Sequence, residues 1–430
     1  MSLAPDIRPA PVSLADAFWY WLKLGFISFG GPAGQIALMH TELVEKRRWI
    51  SEQRFLHALN YCMLLPGPEA TQLAVYIGWL MHKARGGIMA GVLFVLPSLL
   101  LLMLLSWIYL AYGSMPVVAG ILYGIKPAIV AIVLAAAWRI GTRSLKNRTL
   151  VGIAIAAFLA IAVFKLPFPL IVLAAAVIGA LGGRLLPAHF QVGDKHAGSH
   201  ASYGLALIDD DTPTPEHASF TWRRLARVGA AWAVLGLGAW LLIARQFGAA
   251  GTLAQMGWFF TKAAMMTFGG AYAVLPYVYQ GGVEHYQWLT AAQMIDGLAL
   301  GETTPGPLIM IVAFVGFMGA GAAGALVAAY FTFLPSFIFI LAGGPLVEST
   351  RDNVRMTAPL TAISAAVVGV IVSLAVFFGK HVFLTGAQPD WVAIAISAGA
   401  CVALFRYQAG TIKLIAACAL AGLVLSYWHG

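Results

Sequence analysis

The stretch Trp19-Tyr20-Trp21-Leu22-Lys23-Leu24-Gly25-Phe26-Ile27-Ser28-Phe29-Gly30-Gly31-Pro32 returns 239 residues later. Its second form is Trp258-Phe259-Phe260-Thr261-Lys262-Ala263-Ala264-Met265-Met266-Thr267-Phe268-Gly269-Gly270-Ala271. The same offset carries Trp49 onto Trp288 and Pro66-Gly67-Pro68 onto Pro305-Gly306-Pro307. One residue is then lost, and Leu96-Pro97-Ser98 meets Leu334-Pro335-Ser336 at an offset of 238. A repeat this long in an apolar chain is the signature of a two-fold transporter. In such proteins, matched helix-breaking residues mark the binding site.

Composition agrees. Of 430 residues 60% are hydrophobic and 10% charged, with a mean hydropathy of +0.84, which excludes an ordinary soluble domain. About thirteen apolar stretches are long enough to enter a bilayer. Met1 to Asp16 carries Asp6, Arg8 and three prolines, so the N-terminus reads as retained and not as a signal peptide. The charge of +9 fits basic loops at an anionic membrane face. No aromatic-interleaved basic patch points to nucleic acid. Cys62, Cys401 and Cys418 are too scattered for a disulfide frame or a metal site. No nucleophile–base constellation or phosphate loop indicates an enzyme, and no cofactor is expected.

Four segments follow: a first membrane repeat over 1–187, a polar cytoplasmic linker over 188–220, a connecting transmembrane segment over 221–253 and a second repeat over 254–430. The linker carries His189, Asp194, Lys195, His196, His200, Asp209-Asp210-Asp211 and Glu216. His196 and His200 would share a helix face, but flanking glycine and serine favour a solvated linker without metal. The extra apolar segment Val228 to Ala244 would turn the second repeat upside down. Basic residues support that inversion. Lys46, Arg47, Arg48 and Arg54 fill one inter-segment loop, while its counterpart over 280–293 has Glu284 and His285 but no lysine or arginine.

His57 to Met81 has basic loops at both ends, which a single crossing cannot place on one side. A hairpin broken at Pro66-Gly67-Pro68 can, and Phe18 to His40, broken at Gly30-Gly31-Pro32, follows suit. Segments 88–112, 117–138, 150–164, 167–186 and 228–244 then cross. The expected architecture is an all-α polytopic membrane protein of two inverted-topology repeats with glycine- and proline-broken, re-entrant helices. Ordinary kinked crossings are the alternative.

The chemistry lies at the breaks. Pro32, Pro68 and Pro307 each follow glycine and suit the first position of a new helix. Such a start exposes unpaired N–H groups and the positive end of the helix dipole. Gly30, Gly31, Gly67, Gly269, Gly270 and Gly306 would let an anion approach that backbone. With Pro66 and Pro305 they form an anion-site candidate, although Ala271 replaces Pro32 in the second repeat. Lys23 and Lys262 recur seven residues before the glycine pairs and would hold the anion's charge. Snorkelling to the interface is the alternative. Ser28 and Thr267 would add hydroxyl donors. The acids do not repeat: Glu69 aligns with Leu308, Glu302 with Met63, and Asp296 with His57. Glu69 and Glu302 are proton-coupling candidates, with helix capping as their other role. Asn60, Thr71, Gln72, Asp296, Thr303 and Thr304 complete a polar lining. Small-residue spacings such as Gly87–Gly91 and Gly120–Gly124 offer helix packing or a homodimer face.

Phe29-Gly30-Gly31-Pro32, Pro66-Gly67-Pro68, Leu96-Pro97-Ser98, Gly124-Ile125-Lys126-Pro127-Ala128, Phe268-Gly269-Gly270 and Thr304-Pro305-Gly306-Pro307 together resemble the chromate ion transporter family in its long two-domain form. The resemblance covers essentially the whole chain. It implies a bacterial inner-membrane exporter of chromate, driven by the proton-motive force and conferring chromate resistance, with sulfate as a competitor. The residues alone give an anion carrier. Another oxyanion, the opposite direction and a passive anion channel all stay open at this point.

Overall fold

The computed structural model describes residues 8–190, 203–213, 215–268, 270–349, 357–385 and 388–429. His196, His200 and Gly269 lie outside these residues. The first half contains α1 (Leu14–Ile27), α2 (Gly31–His40), α3 (Glu52–Leu64), α4 (Glu69–Tyr112), α5 (Pro116–Ser144), α6 (Arg148–Ala162), α7 (Phe168–Leu185) and a four-residue α8 (Pro187–Phe190). The connecting segment is α9 (Trp222–Trp232), a π-helical stretch Ala233–Gly238 and α10 (Ala239–Phe247). The second half contains α11 (Thr252–Met265), α12 (Ala271–Tyr279), α13 (Ala291–Thr303), α14 (Ile311–Ser349), α15 (Thr357–Phe383), α16 (Trp391–Phe405) and α17 (Thr411–His429). The protein is an all-α polytopic membrane protein. Six described helices or joined helices are long and apolar enough to cross a bilayer. The expected crossing at 150–164 is α6, whose 15 residues fall short of the ~20 that span hydrocarbon.

The repeat is visible element by element. Ser51 caps α3 by accepting from the Arg54 amide, and Thr290, 239 residues on, caps α13 in a capping box with Gln293. Both α2 and α12 run into a π-helical turn, at Thr41–Lys46 and Gln280–His285. Such turns are rare, so their coincidence at one offset is informative. α4 bends at His82 (φ −133, ψ 31) and Lys83 (φ 56, ψ −158), and α14 at Ala320 (φ −152, ψ 29) and Gly321 (φ 60, ψ −153).

These bends reverse the chain. A Cβ on Gly78 would sit 2.5 Å from the Gly86 carbonyl oxygen, although eight helical residues rise ~12 Å. Gly316 meets Gly324 in the same way, at 2.3 Å. α4 and α14 are therefore each a short and a long limb packed antiparallel through glycine.

The helices before the breaks fold back as well. Tyr20 in α1 stacks edge-on against Trp49 beyond α2, and Phe260 in α11 stacks on Trp288. α1 packs on α4, α11 on α14, and α4 against α14 joins the halves. Around this centre, α5 packs on α15, α16 and α17.

Within the expected linker, residues 203–213 dock against the first half. Ile208 bridges Ile50, its carbonyl accepting from the Ser51 amide at 3.0 Å, and Ser51 Oγ donates to Asp210 at 2.5 Å. Ala206 and Ile208 are buried, and so is Ala218 beyond them. Apolar residues spaced among the acids and prolines give this segment something to dock with.

Candidate functional site

Beyond each helix end the chain enters a conformation only glycine adopts cheaply. Gly30 and Gly31 follow α1 at φ 90 and 70, Gly270 follows α11 at φ 100, and Gly67 and Gly306 follow α3 and α13 at φ 127 and 104. Ser28 Oγ donates back to the Leu24 carbonyl at 2.6 Å, and Thr267 Oγ1 to Ala263 at 2.8 Å. The two hydroxyls expected to face an anion thus close the ends of their own helices. Proline flanks the second pair of breaks, at Pro66, Pro68, Pro305 and Pro307.

The four breaks converge and exchange partners. The Gly67 amide donates to the Thr267 carbonyl at 2.8 Å, and the Gly306 amide to the Ser28 carbonyl at 2.7 Å. Gly67 and Gly306 are repeat equivalents, as are Thr267 and Ser28, so a local two-fold relates the two bonds. The same symmetry governs the wall. A Cβ on Gly67 would lie 2.6 Å from Ser336 Oγ, and one on Gly306 would lie 2.6 Å from Ser98 Cβ.

Unused polarity surrounds this centre. Ser98 Oγ, Ser336 Oγ and Thr71 Oγ1 are buried and have no hydrogen-bond partner among the described residues. Gln35 donates through Nε2 to the Gly306 carbonyl at 2.5 Å, and Gln72 to the Pro66 carbonyl at 2.8 Å. Buried hydroxyls are normally paired, and leaving one unmade costs about 1–3 kcal/mol. Ser336 lies beside Gly67, Ser98 beside Gly306 and Thr71 in the first turn of α4, so unmade hydroxyl donors flank both proline-bounded breaks. Gln35, Ser98 and Ser336 escaped the sequence reading. The repeated Leu-Pro-Ser triplet was its available signal, read for proline and not for the hydroxyl.

The acids sit around this centre. Glu69, the first residue of α4, is half-buried, and the charge of Arg143 bears on it. Glu302 accepts from the Tyr272 hydroxyl, and the charge of Arg139 reaches both. Asn60 is exposed, and Thr303 and Thr304 bond to their own helix carbonyls at 2.8 and 2.9 Å. The two lysines lie on the helices that lead into the first break of each half, Lys262 in the last turn of α11. Lys23 is exposed and acts on Glu42 beyond α2, and Lys262 lies over the Trp258 ring at 5.5 Å.

Two buried ionic clusters close the second hairpin of each half. In one, Arg54 of α3 lies 3.4 Å from Glu348 of α14, which accepts from Tyr76 at 2.5 Å. Arg54 also donates to the Thr212 carbonyl, which brings the docked linker into this cluster. In the other, Asp296 of α13 accepts from Tyr109 of α4 at 2.9 Å and faces Lys126 of α5 at 3.3 Å. Each ties one half's hairpin to the far end of the other half's long limb. Arg54 and Asp296 are near-equivalent in place and opposite in charge.

The sequence profile described as chromate transporter matches this chain over residues 15–180 and 254–423, the two halves traced above. The chain belongs to the chromate transporter family. It is 30% identical over 379 residues to a chromate transport protein of Cupriavidus metallidurans, covering 88% of this chain and 86% of that one. A chromate transport protein of Pseudomonas aeruginosa is 34% identical over 364 residues, covering 84% and 80%. No solved structure matches the chain.

Proposed function

We propose that this chain exports chromate across the bacterial inner membrane as a proton-coupled carrier, giving resistance to the anion. The observation that carries this reading is the reciprocal bonding of the four breaks beside the unpaired hydroxyls of Ser98, Ser336 and Thr71. Chromate is a tetrahedral dianion, and hydroxyl donors with helix-start N–H groups match its oxygens without a fixed countercharge. Gly30, Gly31, Gly67, Gly270 and Gly306, with Pro66, Pro68, Pro305 and Pro307, shape the cradle. Lys23 and Lys262 draw the anion to opposite mouths. Sulfate, with the same shape and charge, competes. The relatives named for chromate transport favour chromate as cargo.

In this reading the halves are inverted repeats, and the folded-back hairpins are re-entrant. The Arg54–Glu348 and Asp296–Lys126 clusters then seal opposite faces, which disfavours a continuous channel. The inside-negative potential favours outward movement of a dianion by about 4.6 kcal/mol per 100 mV, so export needs no further energy source in principle. Glu69 and Glu302 add proton exchange. The deciding experiment is chromate and sulfate flux in proteoliposomes, with and without an imposed pH gradient. Gradient-dependent chromate flux supports the carrier. Flux indifferent to the gradient overturns the coupling, and absence of flux for either anion overturns the function.

A further inference from the structure

The connecting segment Trp222–Phe247 has no buried residue, yet it stands against the body along a groove of about 1020 Å³. The groove lies between α9–α10, the long limb of α4 and α14. At its far wall, the Tyr330 hydroxyl donates to the Leu235 carbonyl at 2.8 Å. Leu235 belongs to the π-helical stretch, where a shifted ladder leaves carbonyls available.

The groove's two long walls are built alike. On α9–α10 it begins at Arg224 and Arg227 and continues through Val228, Trp232 and Leu235 to Ile243. On α4 it begins at Lys83 and continues through Ile88, Val92 and Val95 to Leu99. From Arg227 to Ile243 and from Lys83 to Leu99 is the same distance, ~24 Å of helix in each case. That exceeds one hydrocarbon leaflet, about half of 30 Å. The groove is thus cationic at one end and apolar for the full depth of an acyl chain. Lys83 and Arg227 have no carboxylate within ion-pair distance among the described residues. Arg224 is partly used, donating to the His217 and Ser219 carbonyls.

Lys83 supplies an independent observation. It holds φ 56 and ψ −158, a region open almost only to glycine, and its repeat equivalent is Gly321 at φ 60 and ψ −153. Glycine would be the less strained choice. A lysine kept there instead points to a use for its ammonium.

We propose that this groove holds one phospholipid with an anionic headgroup, bound from the leaflet at the Lys83 end. Lys83 and Arg227 meet the headgroup phosphate, and the acyl chains fill the space between the connecting segment and α4. The lipid is the mortar that seats α9–α10 against the body.

The test is native mass spectrometry of the full chain with phosphatidylglycerol and with phosphatidylcholine. The wild type should retain phosphatidylglycerol at least fivefold better. Lys83→Gly and Arg227→Gln should each lower that retention about fivefold. Lys83→Gly places in α4 the residue that the second half already carries at this bend, so folding is preserved. Ala239→Trp should expel both lipids by filling the apolar end. Equal retention of the two lipids, or variants that leave phosphatidylglycerol untouched, would overturn the proposal. So would inorganic phosphate that binds alone and is lost in the same variants while lipid retention is unchanged. Lipid retention is read without transport, so its failure leaves the chromate reading standing.

Discussion

The Gly67 amide gives its hydrogen to the Thr267 carbonyl at 2.8 Å, across the boundary between the two halves. Neither half can complete its broken helix alone. With the Gly306–Ser28 bond at 2.7 Å, the two halves close each other's breaks, and the proposed substrate path runs through that exchange. A transporter built so can shift one half against the other only by remaking these contacts. Stability and transport are therefore coupled at glycine.

Replacing either glycine should be costly in a symmetric way. Gly67→Ala forces a Cβ into a positive-φ position and within 2.6 Å of Ser336 Oγ; Gly306→Ala does the same against Ser98 Cβ. Left-handed strain costs about 1–2 kcal/mol and overpacking about 1–3 kcal/mol. Melting of the purified protein should fall, and chromate flux should drop at least tenfold in both variants. Pairing Gly67→Ala with Ser336→Gly should recover only part of the packing cost, because the same Cβ also meets Gln72 Nε2 at 2.7 Å, and none of the φ cost. Wild-type melting in Gly67→Ala would show that the break is looser than this geometry.

Ser98→Ala and Ser336→Ala should separate binding from folding. Their hydroxyls have no partner among the described residues, so removing them should leave stability unchanged or slightly raised. A hydrogen bond to a charged group contributes about 1.5–3 kcal/mol, so chromate affinity should weaken roughly 10- to 100-fold in each variant. Equilibrium binding and melting of the same samples check this. Loss of stability with unchanged affinity would make these serines structural.

Much of this was legible beforehand. The offset of 239 located every break, because glycine and proline act locally and leave a mark in sequence. The basic loops around Arg47 and Arg85 give the expectation of re-entrant hairpins, because charge distribution follows the membrane face. What sequence did not disclose were the long-range partners. Gln35, Ser98 and Ser336 become site residues only when the two halves interlock, and no local spacing encodes that. Tyr272 and Glu348 were missed for the same reason: their partners lie in other helices. Lys23 and Lys262 show the converse: their repetition is plain in sequence, yet the ring and carboxylate that their long stems reach, Trp258 for Lys262 and Glu42 for Lys23, are set by the fold.

The ionic clusters should act as opposed gates. Breaking a buried pair from one side costs about 3–5 kcal/mol, because a charge is left without its partner. Glu348→Gln should loosen the face that bears Arg47, and Asp296→Asn the opposite face. Cysteine reporters near Tyr76 and near Tyr109 should gain accessibility selectively, the first in Glu348→Gln and the second in Asp296→Asn. Equal changes at both reporters in either variant would mean general destabilisation and not gating.

Topology has its own check. Cysteines at Arg47 and Arg85 should label from the cytoplasmic face, and one at Glu284 from the outer face. This follows from the folded-back hairpins and from the placement of arginine and lysine. Labelling of Arg47 and Arg85 from opposite faces would require the chain over 52–81 to cross, and inverted re-entrant hairpins would then be abandoned.

The coupling assignment turns on Glu302 and its hydrogen bond from Tyr272. Tyr272 lies in the first turn of the half-helix after Gly270, and Glu302 in the last turn of the helix before Pro305, so this bond ties both breaks of the second half. At the repeat-equivalent positions stand Ala33 and Met63, which cannot form such a bond. A proton arriving at Glu302 removes a negative charge beside the path of a dianion, and a proton leaving restores the repulsion. Glu302→Gln keeps the size and fixes the neutral form, so chromate should still bind while flux loses its response to a pH gradient. Tyr272→Phe removes the tether but leaves the carboxyl, so gradient-driven flux should persist with a shifted pH profile. Glu69→Gln is the control at the other half's break. Retention of the full gradient response in both glutamine variants would leave the carboxylates as caps on their helices and place coupling elsewhere.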